Sequence, residues 1–104
     1  MDLEVQRSSV FDEWLMSLQH RHRDVFARVL ARLDRVAKGN LGDVQPVGNG
    51  ISEMRIHYGS GYRLYYMQRG RQILVMLCAG DKSTQSKDIE AAQEIKSAWL
   101  ANQK

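Results

Sequence analysis

Apolar residues recur every three or four positions through the first third of the chain and at every second position from about residue 51, so the pattern passes from helical to extended. Val10, Phe11, Trp14, Leu15 and Leu18 make one helical stripe behind Ser8 and Ser9, either of which can cap the first turn with its hydroxyl. After a polar break at His20 to Arg23, a second stripe runs through Val25, Phe26, Val29, Leu30, Leu33 and Val36, with Gly39 placed to end that helix in a left-handed conformation. The first 39 residues therefore predict a helical hairpin. The following GNLGDVQPVGNG is dense in turn formers and predicts a loop.

From Ile51, the apolar Met54, Ile56 and Tyr58 alternate with Glu53, Arg55 and His57, and Gly59-Ser60-Gly61 turns the chain back into Tyr62 to Met67. A three-residue loop pairs Tyr58 with Tyr62, and counting outward sets His57 against Arg63, Ile56 against Leu64 and Arg55 against Tyr65. One face of this hairpin is then apolar and the other carries the cations on the wet side. A second tight turn at Arg69-Gly70 leads into Ile73 to Cys78, a continuous apolar run that predicts a central strand covered on both faces. Polar residues Asp81 to Lys87 precede a last helix from about Asp88, with Ile89, Ala92, Ile95 and Trp99 on one stripe and Asp88 and Glu90 at its positive end. The fold class is α+β: a helical hairpin, three consecutive antiparallel strands and a C-terminal helix.

A chain of 104 residues has room for one domain with one core. With 43% hydrophobic and 26% charged residues and a single proline, its composition is that of a folded protein. No run approaches the roughly 18 apolar residues of a membrane span, and MDLEVQRSS lacks a signal-peptide layout, so the expected location is the cytoplasm with no membrane partner. The lone Cys78 lies in an apolar run, where it serves as a small hydrophobe and allows neither an internal disulfide nor a thiolate metal cluster.

The formal charge of +3 is modest, but its distribution is uneven. Between Arg55 and Lys87, six basic residues stand against the single acid Asp81; between Arg21 and Lys38, six stand against Asp24 and Asp34. Acids gather instead at Asp2, Glu4, Asp12 and Glu13 and again at Asp88, Glu90 and Glu94. Such asymmetry suits a polyanionic partner, although arginines alternating along an amphipathic helix also suit a plain solvated face.

His20, His22 and His57 have no metal-ligand spacing with one another or with Cys78, and no paired carboxylates fall on the expected sheet. Neither a P-loop nor a G-x-G-x-x-G sequence is present. These absences argue against a metal-dependent or two-carboxylate hydrolase and against nucleotide binding, and no cofactor is expected. What remains is a cationic surface of Arg55, His57 and Arg63 on adjacent strands, with Lys82 leaving the third strand nearby and Tyr58 and Tyr62 flanking the turn. Arginines fork onto phosphates and aromatic rings stack on unpaired bases, so the set suits RNA. It also suits attack of a ribose 2′-hydroxyl on the neighbouring phosphorus, which needs a proton acceptor, a proton donor for the leaving 5′ oxygen and positive charge around the phosphorane. Taken singly, His57 and Arg63 read equally well as residues of a solvated sheet face; their convergence is what points to a site.

The runs VQPVGNGISEMRIHYGSGYRLYYMQRG and ILVMLCAGDKSTQSKDIEAA, together with Phe11-x-x-Trp14-Leu15, resemble the RelE/ParE superfamily of type II toxins, in its HigB/RelE-like addiction module killer branch. The resemblance covers nearly the whole chain, residues 1–104 forming a single RelE-like domain. It implies a helical hairpin packed on a twisted antiparallel sheet of three to five strands with a C-terminal helix, and metal-independent endoribonuclease cutting of mRNA on the ribosome. It also implies control by a cognate antitoxin, usually of helix-turn-helix type. The family's catalytic places fall on Arg55, His57, Arg63 and Lys82. By that analogy Arg63 steadies the phosphorane, His57 or Lys82 exchanges protons, and Arg55 holds the substrate phosphate. Tyr58, Tyr62, Thr84, Gln85 and Lys87 become RNA contacts. The best-studied members carry lysine where His57 stands and a C-terminal tyrosine near the place of Asp88. The gyrase-directed ParE toxins, which act by protein binding on the same fold, generally lack the basic set.

Overall fold

A computed structural model of the chain describes residues 2–102. Strand β1 (Glu4–Arg7) precedes α1 (Ser9–Arg21) and α2 (Arg23–Ala37); then come β2 (Val44–Gly48), β3 (Ile51–Ile56), β4 (Tyr62–Arg69), β5 (Ile73–Asp81), a short 3-10 turn over Lys82–Thr84, and α3 (Gln85–Ala101). The expected hairpin breaks at His22, and Gly39 adopts a φ of +94° beyond the end of α2. Ser8 caps α1: its Oγ accepts from Phe11 N at 3.0 Å and donates to Leu77 O at 2.5 Å, which fastens the first helix to the last strand.

Five strands form one sheet in the order β1-β5-β4-β3-β2. The central three are antiparallel, as expected, but β1 runs parallel to β5, so the sheet is mixed. The stretch expected to be only loop supplies β2 at the other edge, where Pro46 and a register shift before Gly48 are tolerated because an edge strand can spare a ladder donor. The hairpin register also differs from the count made on a three-residue loop. Residues 57–61 form the connection, so Ile56 pairs with Tyr62, Arg55 with Arg63 and Met54 with Leu64. A shift of two positions leaves every side chain on its expected face, but it sets the two arginines directly opposite each other.

Both faces of the sheet are covered. Phe11, Leu15, Val29 and Val36 of the hairpin pack on Met54, Leu64, Tyr66, Leu74 and Met76, while Ile89, Ala92, Ile95 and Trp99 of α3 pack on Ile51, Tyr65, Met67, Val75 and Leu77. The face expected to be wet is therefore largely roofed by α3, and Glu53 and Tyr65 on it are buried. Opposite Tyr65 and Tyr66, β5 bulges by one residue at Leu77. A bulge resets the pleat, which brings Cys78 and then Gly80 to the α3 side, with Gly80 paired to Arg63. No helix among the described residues is long and apolar enough to cross a membrane.

Candidate functional site

Beyond the N-terminal end of α3 the roof stops, and the ends of β3, β4 and β5 are left open. There a cleft of about 340 Å³ is lined by Arg55, His57, Tyr58, Tyr62, Arg63 and Lys82, with the turn residues 59–61 as its rim. The turn closes through a hydrogen bond from Gly61 N to Tyr58 O at 3.0 Å. Its two glycines take φ of +60° and +86°, a region where a side chain is strained. Lys82 N donates to Gly61 O at 3.3 Å, so the residue after β5 is tied to the same turn. All four side chains expected to act together line this one cleft, although they come from three strand ends.

Two arginines directly opposite each other on a sheet repel, and the chain answers with Glu53, two residues before Arg55 on the same face. Glu53 is only 3% exposed. Oε2 lies 3.5 Å from Arg55 Nε, Oε1 lies 3.8 Å from Arg63 Nε, and Gln85 Nε2 donates to Oε1 at 2.8 Å. A buried carboxylate needs such partners, and in return its charge offsets the repulsion between the two guanidinium groups at the cleft wall. Gln85, expected as an RNA contact, thus spends its amide on Glu53.

His57 is exposed and its Nε2 meets Asp43 Oδ2 at 2.6 Å. The bond to His57 holds the Asp43 carboxyl below its ordinary value, with smaller help from the charges of Arg55, His57 and Arg32. Arg55 lies 3.7 Å from the same oxygen and donates to Gln45 Oε1. Asp43 itself is placed by Arg32, which is buried and donates from Nε to Leu41 O at 3.0 Å, from one terminal nitrogen to Arg55 O at 2.8 Å and from the other to Asp43 O at 3.1 Å. Burial is the main reason its pKa is lowered. One of the cations read as helix-surface charge is therefore a structural bolt between α2, the loop after it and β3. Gly42 is needed for it, since a Cβ there would lie 2.8 Å from the guanidinium at a φ of +72°.

Tyr58 is turned toward α2. Its hydroxyl donates to Asp24 Oδ2 at 2.6 Å, which pushes the phenol pKa up and the carboxyl pKa down, and Arg28 covers its ring at 3.8 Å. Tyr62 packs partly against the core on the hairpin side. Thr84 and Lys87 do not line the main cleft but a neighbouring one of about 330 Å³, which also includes Gln85 and shares Lys82 with it. Thr84 Oγ1 donates to Asp88 Oδ2 at 2.6 Å, close over Gly80. Cys78 is buried, and burial pushes its thiol up to about 12. Among the described residues no group of three or more His, Cys, Asp or Glu is placed to hold a metal ion.

Glu53, Asp43 and Arg32 are the residues that reading along the chain missed. Glu53 carries a faint signal, an acid at every-second-residue spacing from Arg55 on the cationic face; Asp43 and Arg32 carry none, because their partners are 14 and 23 residues away.

Two comparisons bear on kinship. The family described as "Phage derived protein Gp49-like (DUF891)" matches residues 13–98. An uncharacterized protein of Haemophilus influenzae is 40% identical over 93 residues, which cover 89% of this chain and 92% of that relative.

Proposed function

Because the chain belongs to the phage-derived Gp49-like family, we propose that it is the toxin of a toxin-antitoxin pair and that it cuts messenger RNA on the ribosome as a RelE/HigB-like endoribonuclease. Family membership supports an addiction-module toxin with a cognate antitoxin. The observation that carries the finer reading is the single cleft into which Arg55, His57, Arg63 and Lys82 converge.

In that cleft the scissile phosphate lies between Arg63 and Lys82. His57, held through Nε2 by Asp43, takes the proton of the ribose 2′-hydroxyl on its other ring nitrogen. The 2′ oxygen bonds to phosphorus, the bond to the 5′ oxygen breaks, and Lys82 returns a proton to that leaving oxygen. The products are a 2′,3′-cyclic phosphate and a free 5′-hydroxyl. Arg63, whose Nε lies 3.8 Å from the buried Glu53, faces the charge that grows on the phosphorane. Arg55 is tied to Asp43, Gln45 and Glu53, so it orders the wall and adds positive potential.

The test is cleavage of mRNA on translating ribosomes by wild type and by Arg63→Ala, with the fold checked by circular dichroism. Loss of cutting in a folded variant supports the reading, and undiminished cutting removes Arg63 from the chemistry. The ParE-like alternative, inhibition of DNA gyrase by protein binding, is met by the same preparation: gyrase-dependent DNA damage without RNA cutting would favour it.

A further inference from the structure

The arginines of α2 form the charged stretch that the cleavage site leaves unexplained. Arg32 is buried, but Arg28 and Arg35 stand exposed on the same side of the helix, seven residues and therefore about two turns apart. They do not face open solvent on all sides. With Arg32, Asp43, Arg55, His57 and Tyr58 they line a second cleft of about 250 Å³ between α2 and the end of β3. This cleft and the cleavage cleft share Arg55, Ile56, His57 and Tyr58 as a common wall.

We infer that this second cleft is a subsite for the flanking phosphate and nucleotide of a single-stranded RNA whose scissile phosphate lies in the first. The inference rests on the RNA-cleaving reading and extends it. Four arginines line the cleft against one acid, and that acid is already engaged by His57 and Arg55. The neighbouring Asp24 is likewise engaged by the Tyr58 hydroxyl. Neither Arg28 nor Arg35 has a carboxylate within ion-pair distance among the described residues, whose five ion pairs involve other groups. Buried Arg32 adds a charge at the floor that its three carbonyl partners do not cancel.

A polyanion with evenly spaced charges is the ligand such a pair of clefts fits, because one chain can place successive phosphates on either side of the shared wall. The stacked Arg28 and Tyr58 offer a flat cationic surface of the kind on which bases lie regardless of sequence. Single strands are favoured over duplex, since the shared wall at His57 and Tyr58 would have to pass between neighbouring nucleotides.

The test is direct binding with 2′-O-methyl RNA, which lacks the attacking hydroxyl and cannot be cut. Fluorescence anisotropy of a labelled dinucleotide and hexanucleotide is measured over a salt series. The proteins are wild type, the double variant Arg28→Gln with Arg35→Gln, and a charge-matched control, Arg69→Gln with Arg71→Gln, at the opposite end of β4 and β5. For a single strand each phosphate contact contributes about 0.7 to the slope of log affinity against log salt. The hexanucleotide slope should fall by about 0.7 to 1.4 in the α2 variant and stay unchanged in the control, while dinucleotide binding is little altered. Equal slopes in wild type and the α2 variant, with RNA bound by both, would overturn the subsite while leaving the cleavage site standing; the face would then be open to a protein partner. Equal losses in the α2 variant and the control would reduce the effect to net charge and also overturn it. A wild type with no affinity for either oligonucleotide would overturn the subsite, and the cleavage reading would then stand or fall with cutting on translating ribosomes alone.

Discussion

Replacing Arg32 with methionine keeps the stem of the side chain and removes three hydrogen bonds to main-chain carbonyls, those of Leu41, Asp43 and Arg55. Bonds from a charged donor are worth about 1.5 kcal/mol each at the low end, so the gross loss is about 4 to 5 kcal/mol. Two terms reduce it. The guanidinium no longer has to be taken out of water, and the Asp43 carbonyl keeps a second donor, Arg55 N at 2.9 Å. A net loss of about 2 to 3 kcal/mol follows. For a domain of this size that corresponds to a fall in Tm of about 10 to 20 °C. Urea unfolding followed by circular dichroism reads it directly, with an unchanged m-value if the denatured state is unaffected. Arg32→Lys keeps the charge but not the three-pronged reach, and is expected to lose at least half as much. A methionine variant within about 0.5 kcal/mol of wild type, or a lysine variant as stable as wild type, would refute the account of Arg32 as a bolt.

Two further perturbations probe the walls of the site. Gly80→Ala places a Cβ 2.2 Å from Asp88 Oδ2 and 2.8 Å from Thr84 Oγ1, so a thermal melt should show a loss of about 1 to 3 kcal/mol through displacement of α3's first turn; an unchanged melt would show that this contact is slack. The Asp43 carboxyl lies below its ordinary 3.8 in the folded chain, so its ionised form contributes stability above that pH and the contribution disappears as pH falls through the folded value. Unfolding curves of wild type and Asp43→Asn should therefore lie apart at neutral pH and converge below pH 3.8; curves that run parallel across the acid range would contradict the Asp43 to His57 pairing.

The elements whose residues interact within one helix or one hairpin were legible in the sequence. The two stripes of the hairpin, the cap at Ser8 and the stripe of α3 follow from local spacing alone. Strand β1 was not legible, because four residues of mixed polarity become a strand only by lying beside Ile73 to Met76. Strand β2 was hidden by Pro46 and its surrounding glycines, which mark a turn unless the segment is known to be an edge. The cations of the cleft could be named because they fall on neighbouring strand ends. The two carboxylates that organise them could not: Glu53 looked like a solvated residue until α3 covered its face, and Asp43 sat in a segment read as loop. The same holds for Arg32, whose burial depends on the loop folding back over α2.

We propose that four side chains on three strand ends drive attack by a ribose hydroxyl. The most direct measurement is the chemistry of the ends left on mRNA cut by the protein on translating ribosomes, read by ligation methods that distinguish terminal phosphates. The expected ends are a 2′,3′-cyclic phosphate on the upstream fragment and a 5′-hydroxyl on the downstream one. A 3′-hydroxyl facing a 5′-phosphate would mean that water was the nucleophile, and would contradict the proposal.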